Sequence, residues 1–198
     1  KISKTRISYK KAMKLLHQRV EEIKKNKNRE LLWVLEHPLT YTAGIRYNEN
    51  EILDKKIKLI KTNRGGKVTL HNSGQKVIYF VLNLNKRKKD IRKLINAIET
   101  SIIEFLKLFE IKGKKDKKNV GIWVKKKKIA AIGLRVSKWI AYHGCSININ
   151  NDINDYLKIV PCGLDNNKVT NVLIEKKKLV KSIEKKLISI FIKNFNKL

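Results

Sequence analysis

The sequence has few cysteines, few acidic residues and no long apolar run, and each shortage narrows what the chain can be. Only two cysteines, Cys145 and Cys162, occur among 198 residues, and neither belongs to a CxxC pair or to a zinc-spaced Cys/His set. We therefore expect no disulfide framework and no metal site, and we favour reduced thiols in the cytoplasm. No apolar run approaches the roughly 20 residues that span a bilayer, so no membrane segment is expected.

The start and the length of the chain set further bounds. Residues Lys1–Lys14 are basic without an apolar h-region, so no secretory signal is visible, and a first residue of Lys leaves open whether native residues precede it. The hydrophobic fraction of 42% is typical of a globular protein with a sizeable core. We expect residues 1–198 to form a single domain.

Acidic residues are outnumbered by basic ones, 17 to 47, which gives a formal net charge of +30. A positive charge of this size is typical of proteins that bind nucleic acid, so this function has to be considered. The excess lies in scattered lysines that come with many asparagines and isoleucines, a combination that AT-rich codons favour. No basic motif is interleaved with aromatic residues, so nucleic-acid binding is not expected. An acidic protein partner remains the most useful functional interpretation, because opposite charge accelerates encounter.

Helical and strand patterns are interleaved without a regular βαβ rhythm. Apolar spacing predicts helices over Tyr9–Lys25, from an Asp90 N-cap to a point before Gly113, and over Val180–Phe195. Strands are predicted at Leu31–Leu35, Ile57–Thr62, Val77–Leu84, Val120–Val124, Ile129–Val136, Trp139–Tyr142 and Cys145–Ile149. Loops are predicted at Tyr41–Tyr47 and Lys112–Lys118. The expected fold class is α+β, with a mixed or antiparallel sheet and flanking helices on its outer face.

Cys162 has the most informative surroundings in the chain. It lies between Pro161 and Gly163, directly after a hydrophobic pair. Proline fixes one backbone torsion and glycine permits unusual ones, so the chain can hold this thiol in a defined orientation. The placement suits a nucleophile, although such a thiol can also be inert packing. A nucleophile would need a neighbour that stabilises the thiolate.

Two other segments could surround such a thiol. The segment Arg64–Gln75 opens with a glycine pair that could bring backbone N–H groups close to a ligand, although such pairs are more often plain turns. It matches neither the P-loop nor the dinucleotide-binding pattern. Lys128 ends the basic tip of a predicted hairpin and borders its apolar strand, so it is the lysine of that run most easily drawn against buried surface. A lysine beside a thiol favours the thiolate.

Taken together, these segments resemble the octanoyltransferases of lipoate biosynthesis, also called lipoyl(octanoyl) transferases. The pieces occur in the family's order: Glu36-His37-Pro38, Tyr41-Thr42-Ala43-Gly44, Arg64-Gly65-Gly66 to His71, Gly74-Gln75, Tyr79, Gly121 to Val124, Lys128 to Val136, Trp139, Tyr142-His143-Gly144, Asn148 and Val160 to Gly163. The resemblance runs from about Tyr9 to Val172. RGGxxTxH, KIAAIG and PCG in this order are specific, whereas any one piece alone is not.

The resemblance implies a fold similar to the catalytic domain of lipoate and biotin protein ligases, and an acyltransferase activity. An octanoyl or lipoyl group would move from acidic acyl carrier protein to the target lysine of lipoyl domains through a cysteine thioester, as the first step of endogenous protein lipoylation. The implied acceptors are the lipoyl domains of 2-oxoacid dehydrogenases and the glycine cleavage H protein. No cofactor and no metal are implied, because the thioester already carries the activation.

The resemblance also implies residue roles. Cys162 matches the family's acyl-thioester nucleophile, and Lys128 matches the lysine that lowers the pKa of this thiol and acts as its acid/base partner. The acyl-pocket segments match Arg64, Gly65, Gly66, Lys67, Val68, Thr69, Leu70, His71, Ala131, Ile132, Gly133, Gly144, Cys145 and Ser146. Leu70 and Cys145 depart from the family's usual residues and could reshape the pocket, and Cys145 is expected to be a packing residue.

Two other functions would account for part of the sequence. An ATP-dependent lipoate or biotin ligase would share the fold, but it adenylates a free acid and has no use for the cysteine. A basic nucleic-acid-binding protein rests on bulk charge alone. For His71 and His143 the sequence allows two roles, a hydrogen-bond donor in the pocket or a structural hydrogen-bonding residue. The segments Lys112–Lys118 and Lys125–Lys127 are the expected docking sites for an acidic carrier protein.

Overall fold

The computed structural model describes residues 1–27, 29–116, 119–161, 168–176 and 182–198. Its strands are β1 (Leu31–Leu35), β2 (Thr40–Ala43), β3 (Leu59–Lys61), β4 (Val68–His71), β5 (Gln75–Asn83), β6 (Lys114–Lys115), β7 (Gly121–Val124), β8 (Lys127–Ser137) and β9 (Ile140–Asn148). The α-helices are α1 (Tyr9–Lys24), α2 (Ile91–Lys107), α3 (Val172–Lys176) and α4 (Ile183–Phe195). Short 3-10 helices lie at Glu49–Glu51, Leu84–Lys86 and Asn154–Lys158.

Two sheets organise these strands. The larger sheet has six strands in the order β1-β5-β9-β8-β7-β6, and its pairings are antiparallel. The smaller sheet has the order β3-β2-β4, with β2 parallel to β3 and antiparallel to β4. Together with the flanking helices, this arrangement confirms the expected α+β class with mixed and antiparallel pairing.

Helices cover both faces of the large sheet, whereas the sequence predicted helices on one outer face only. Strand β5 shows why, because its side chains alternate between the faces. Val77, Tyr79 and Val81 pack in one cluster with α1, through Ala12 and Leu16. The intervening residues of β5 pack in a second cluster with α2 and α4, which includes Ile78, Phe80, Ile98, Phe105 and Phe191. The near-continuous apolar run of β5 therefore reflects burial on both sides.

The predicted helices are confirmed, and side-chain caps explain where α1 and α2 begin. The Asp90 carboxylate accepts a hydrogen bond from the Lys93 backbone N–H at 2.9 Å, as expected of an N-cap. The α1 helix starts in the same way, with the Ser8 hydroxyl accepting from Lys11 N–H. The last helix is described from Ile183 rather than from Val180, because residues 177–181 lie outside the described ranges.

Two predictions about local structure were wrong. Residues Tyr41–Tyr47 were expected to be a loop, but Thr40–Ala43 form β2, whose Tyr41 and Ala43 are buried against the residues of β4. Residues Lys112–Lys118 were also expected to be a loop, but Lys114–Lys115 form the short strand β6. The strand region predicted from Trp139 to Ile149 is the continuous strand β9. Trp139 lies outside that strand, at the turn between β8 and β9, with 36% of its surface exposed. It is therefore not part of the buried core.

Within the described ranges, no helix combines the length and the apolar character needed to cross a membrane.

Candidate active site

The Arg64-Gly65-Gly66 turn leaves the small sheet and lies directly on the large one. Gly65 N–H donates to the Leu134 carbonyl of β8 at 2.9 Å. Gly133 makes this approach possible, since a Cβ there would lie 3.2 Å from the Gly65 carbonyl oxygen. The turn and the middle of β8 thus form one wall of a cavity.

The Arg64 side chain anchors this turn to strand β2. Its Nη2 donates to both the carbonyl and the hydroxyl oxygen of Thr42, each at 2.9 Å, and only 8% of the residue is exposed. A Cβ on Gly44 would come within 2.7 Å of Arg64 Nη1 and 2.3 Å of the Gly66 carbonyl oxygen. Gly44 is therefore required for the close packing of the arginine under the glycine pair.

Between the two sheets lies a pocket that we call the central cavity. It is lined by Tyr9, Arg64, Gly65, Gly66, Lys67, Thr69, His71, Val77, Tyr79, Ala131, Ile132, Gly133, His143, Gly144, Cys145 and Ser146. The structure thus brings together 12 of the 14 predicted pocket residues. The exceptions are Val68 and Leu70, which are fully buried in the core of the small sheet. Side chains alternate along β4, so Thr69 and His71 reach the cavity and these two do not.

His71 is held in one tautomer by a buried amide. Its Nδ1 lies 2.7 Å from Gln75 Oε1, and the amide nitrogen of Gln75 donates to Asn148 Oδ1 and to the Tyr156 hydroxyl. Gln75 therefore presents its oxygen to His71, so Nδ1 carries the proton and donates. Burial, aided by the neighbouring His37, lowers the pKa of His71 to about 3. His71 is neutral at physiological pH.

His143 and Cys145, which also line the central cavity, are uncharged as well. His143 Nε2 lies 2.8 Å from Asn63 Oδ1, and burial lowers the pKa of His143 to about 3. Its Nδ1 is buried and makes no hydrogen bond to any described residue. Burial also raises the pKa of the Cys145 thiol. Cys145 thus stays protonated, which suits the packing role expected for it and not a nucleophile.

Lys128 lies in a second, adjoining pocket, the Lys128 recess. This recess is lined by Thr69, Lys128, Ala130, Ala131, Ser146, Asn148, Tyr156, Pro161 and Val169, three of which also line the central cavity. Only 8% of Lys128 is exposed, whereas Lys125, Lys126 and Lys127 are exposed. Its Nζ lies 5.5 Å from the centre of the Trp123 ring, a distance typical of a cation–π contact. No ion pair among the described residues includes Lys128.

A β-bulge lies in β8 directly after Lys128. Along the β7–β8 pairing, Ile122 faces Ala130 and Trp123 faces Lys128, so Ile129 is the extra residue. A bulge re-aims the neighbouring side chains. The inward position of Lys128 therefore follows from the register of this hairpin.

Cys162 lies outside the described residues, together with residues 163–167. Both described flanks of this segment lie at Lys128. Before it, Pro161 lines the Lys128 recess. After it, Lys128 N–H donates to the Lys168 carbonyl at 2.7 Å, and Thr170 N–H donates to the Lys128 carbonyl at 3.0 Å. The chain thus leaves and re-enters the described structure beside the same lysine.

Other features of the surface hold none of the predicted site residues. Two larger grooves lie elsewhere, one beside Arg29 and Phe195 and one beside Arg6 and Glu184. Among the residues that the structure describes, no three His, Cys, Asp or Glu side chains are grouped closely enough to hold a metal ion.

Several residues of the site were not assigned a role from the sequence. Tyr9, Val77 and Tyr79 line the central cavity, and Asn148 and Tyr156 line the Lys128 recess. Tyr79 and Asn148 belong to the matched motifs, which could have drawn attention to them. Tyr9 and Val77 belong to a helix and a strand whose apolar patterns indicate only a core.

The chain is similar to known proteins in both sequence and structure. Residues 8–193 match a family model described as the lipoyl protein ligase A/B catalytic domain. An octanoyltransferase of Wolbachia sp. subsp. Brugia malayi is 42% identical over 176 residues, which cover 86% of each chain. A lipoate-protein ligase A solved with bound ATP has a TM-score of 0.77 at 14% identity, over 99% of this chain and 85% of the ligase. The biotin protein ligase of Aquifex aeolicus, solved with biotin and ATP, has a TM-score of 0.53 at 17% identity, over 79% and 70%. The two solved structures confirm the expected ligase-like fold.

Proposed function

The chain belongs to the lipoyl protein ligase A/B catalytic domain family and catalyses acyl transfer in lipoate biosynthesis, and we propose that it moves an octanoyl or lipoyl group from acyl carrier protein to a lipoyl-domain lysine through a thioester on Cys162. The observation that carries this proposal is the position of Lys128, a buried lysine with both flanks of the Cys162 segment beside it. We take residues 1–198 as one catalytic domain.

The first half-reaction loads the cysteine. The Cys162 thiolate attacks the carbonyl carbon of the octanoyl thioester, a new C–S bond forms, and the carrier's C–S bond breaks. The electron pair of the broken bond leaves on the carrier's thiol sulfur, which takes up a proton. The Lys128 ammonium favours the thiolate before attack and can supply that proton. Backbone N–H groups near Gly133 or Cys162 are the candidates for stabilising the tetrahedral oxyanion.

The second half-reaction transfers the acyl group to nitrogen. The amine of the acceptor lysine attacks the acyl-Cys162 carbonyl, an amide bond forms, and the C–S bond to Cys162 breaks. The amine loses a proton to Lys128, and Cys162 leaves as the thiolate that starts the next cycle. No nucleotide or metal enters this sequence, because the donor thioester supplies the driving force.

The central cavity is proposed to hold the acyl chain. Its neutral histidines and its protonated Cys145 thiol support this assignment, because an alkyl chain that covers these three groups buries no charge on them. Thr69, Ala131 and Ser146 line both pockets, so an acyl group held at the Lys128 recess could extend into the central cavity. Val68 and Leu70 would shape this cavity only from behind, through the packing of β4.

The acidic carrier protein is proposed to dock on a basic edge of the large sheet. The β6–β7 pairing places Lys114 opposite Trp123 and Lys115 opposite Ile122, next to the exposed hairpin tip Lys125–Lys127. Lys114 and Lys115 thus lie at one edge with Lys125–Lys127, and we call this edge the basic edge. Lys128 directly follows the last lysine of this tip in the sequence.

The acceptor side of the proposal rests on the relatives. Lipoyl domains, including those of 2-oxoacid dehydrogenases and the glycine cleavage H protein, are the proposed acceptors. One similar solved structure is described as a bipartite lipoate protein ligase with its E2 lipoyl domain, from Thermoplasma acidophilum. We propose a cytoplasmic location for the reaction, where both thiols would stay reduced.

The rival within the same fold is an ATP-dependent ligase. A transfer assay separates the two: the purified chain is mixed with octanoyl-acyl carrier protein and a lipoyl domain, with ATP omitted. We expect the lipoyl domain to gain one octanoyl mass under these conditions, and free octanoate with ATP to give none. Acylation only from free octanoate with ATP would establish the ligase instead.

A further inference from the structure

Two buried side-chain amides face each other across the centre of the site. Gln75 of β5 and Asn148 of β9 are direct partners in the strand register, and Gln75 Nε2 donates to Asn148 Oδ1 at 2.9 Å. Gln75 is fully buried and Asn148 is 5% exposed. Buried amides are expensive unless their polar atoms are paired, so the partners of these two show what the pair holds.

The hydrogen-bond partners of the two amides lie both before and after the Cys162 segment along the chain. On the far side, Asn148 Nδ2 donates to the Thr170 carbonyl at 3.0 Å, and Thr170 N–H in turn donates to the Lys128 carbonyl. On the near side, Gln75 Nε2 donates at 3.0 Å to the hydroxyl of Tyr156, in the 3-10 helix shortly before Pro161. The same hydroxyl lies 3.3 Å from Asn148 Oδ1.

We propose that the Gln75–Asn148 pair is a positioning element for acyl transfer, which holds the chain before Pro161 and the chain at residues 168–170 against Lys128. The inference rests on the proposed function and deepens it. Both polar atoms of Asn148 are used in these bonds, and Gln75 Oε1 accepts from His71. The pair therefore acts through Lys128 and the flanks of Cys162, and neither amide is available to the acyl group.

The test measures how reactive Cys162 is at different pH values. Iodoacetamide alkylation of the Cys162 peptide is followed in the wild type, in Asn148→Ala and in Asn194→Ala. Asn194 is the matched control, since it is 4% exposed and also donates to a backbone carbonyl, but it lies on α4. We expect Asn148→Ala to move the apparent pKa of Cys162 toward the ordinary thiol value of about 8.5 and to slow alkylation near neutral pH about tenfold. Asn194→Ala should match the wild type.

A double-mutant cycle separates positioning from general loss of structure. In a Lys128→Met background, Asn148→Ala should cause no further change in the alkylation profile, because the amide acts through that lysine. An equal effect in both backgrounds, or an unchanged profile in folded Asn148→Ala, overturns the inference. Should Asn148→Ala not fold, Tyr156→Phe removes one hydroxyl of the same network and is expected to shift the profile in the same direction. A folded Tyr156→Phe with a wild-type profile also overturns it.

The failures of the two proposals are distinguishable. The alkylation profile needs no acyl donor, so it tests the positioning even in a chain that transfers no octanoyl group. Absence of octanoyl transfer by the wild type would sink the proposed function. An ordinary thiol pKa for Cys162 in the wild type would instead sink the positioning role.

Discussion

Gly121 lies directly against the end of the Lys128 side chain. A Cβ on Gly121 would come within 2.6 Å of Lys128 Cε and 3.3 Å of Nζ, and within 2.5 Å of the Ala130 carbonyl oxygen. The glycine also has φ +138°, a conformation that other residues rarely adopt. The chain therefore keeps a glycine at the point where the proposed acid/base lysine needs room.

Replacing this glycine should move the lysine. In Gly121→Ala, we expect the rate of octanoyl-enzyme formation to fall on the order of tenfold to a hundredfold, because small misplacements of a catalytic group carry such penalties. Gly113→Ala is the control, since a Cβ there would crowd core side chains, Ile122 and Leu106, instead of Lys128. Stopped reactions analysed by mass spectrometry give the rates, and thermal unfolding reports folding. If Gly121→Ala and Gly113→Ala both fold and lose the same fraction of the rate of octanoyl-enzyme formation, then the contact of Gly121 with Lys128 does not explain the loss.

Two lysines of one hairpin should differ sharply. Lys128→Met is expected to reduce octanoyl transfer by about 10²–10⁴-fold, the usual contribution of a positioned acid/base group. Lys126→Met, two residues earlier on the exposed turn, removes the same charge and should leave the turnover number unchanged. Steady-state kinetics with octanoyl-acyl carrier protein measure both. Similar turnover in the two variants would remove Lys128 from the mechanism.

Reversing charge on the basic edge should weaken carrier binding. In Lys125→Glu/Lys126→Glu/Lys127→Glu, we expect the KM for octanoyl-acyl carrier protein to rise about tenfold or more at low salt, with kcat little changed. The difference should shrink as salt is added. Lys185→Glu/Lys186→Glu/Lys197→Glu is the control, because these exposed lysines lie on or just after α4, which packs at the opposite, β1 end of the sheet. A matching rise in the control would mean that bulk charge, and no defined edge, attracts the carrier.

The buried histidines should make the fold acid-sensitive. Burial lowers the pKa of His143 from its ordinary 6.5 to about 3, so below pH 6.5 the unfolded chain binds a proton that the folded chain refuses. Stability is therefore lost as pH falls from about 6.5 toward 3. Between pH 7 and pH 5 this histidine should account for about 2 kcal/mol of lost unfolding free energy.

Urea unfolding at these two pH values checks the prediction. His143→Gln removes the titration, so its unfolding free energy should decline less between pH 7 and pH 5 than that of the wild type. His17→Gln is the control, because His17 is an exposed residue of α1. Parallel declines in the wild type and His143→Gln would show that the histidine does not stay neutral in the fold.

Much of the fold could be predicted because its long elements carry strong local patterns. The Asp90 cap and the apolar spacing after it identify α2, and the β-branched run of β5 identifies a buried strand. Strand β2 was missed because it has four residues between Pro38 and Gly44, too few to show a period. Its partners, β3 and β4, are set by tertiary pairing that no local pattern records.

The site was predictable in its segments and less so in its side chains. The segments around Arg64, Ala131 and Gly144 meet at one cavity, in line with the resemblance, while the roles of their residues remain predictions. Val68 and Leu70 were included because the resemblance covers the continuous segment Arg64 to His71, and the alternation of side chains along β4 turns these two away from the cavity. The Gln75–Asn148 contact depends on the register of β5 and β9, and register cannot be read from either strand alone.

The most direct test of the central claim is to find where the acyl group sits. The wild type, Cys162→Ala and Cys145→Ala are incubated with octanoyl-acyl carrier protein without acceptor, and intact masses and peptides are measured. We predict one octanoyl mass on the wild type and on Cys145→Ala, located on the peptide that contains Cys162, and none on Cys162→Ala. An adduct that persists in Cys162→Ala, or that maps to Cys145, would contradict the account.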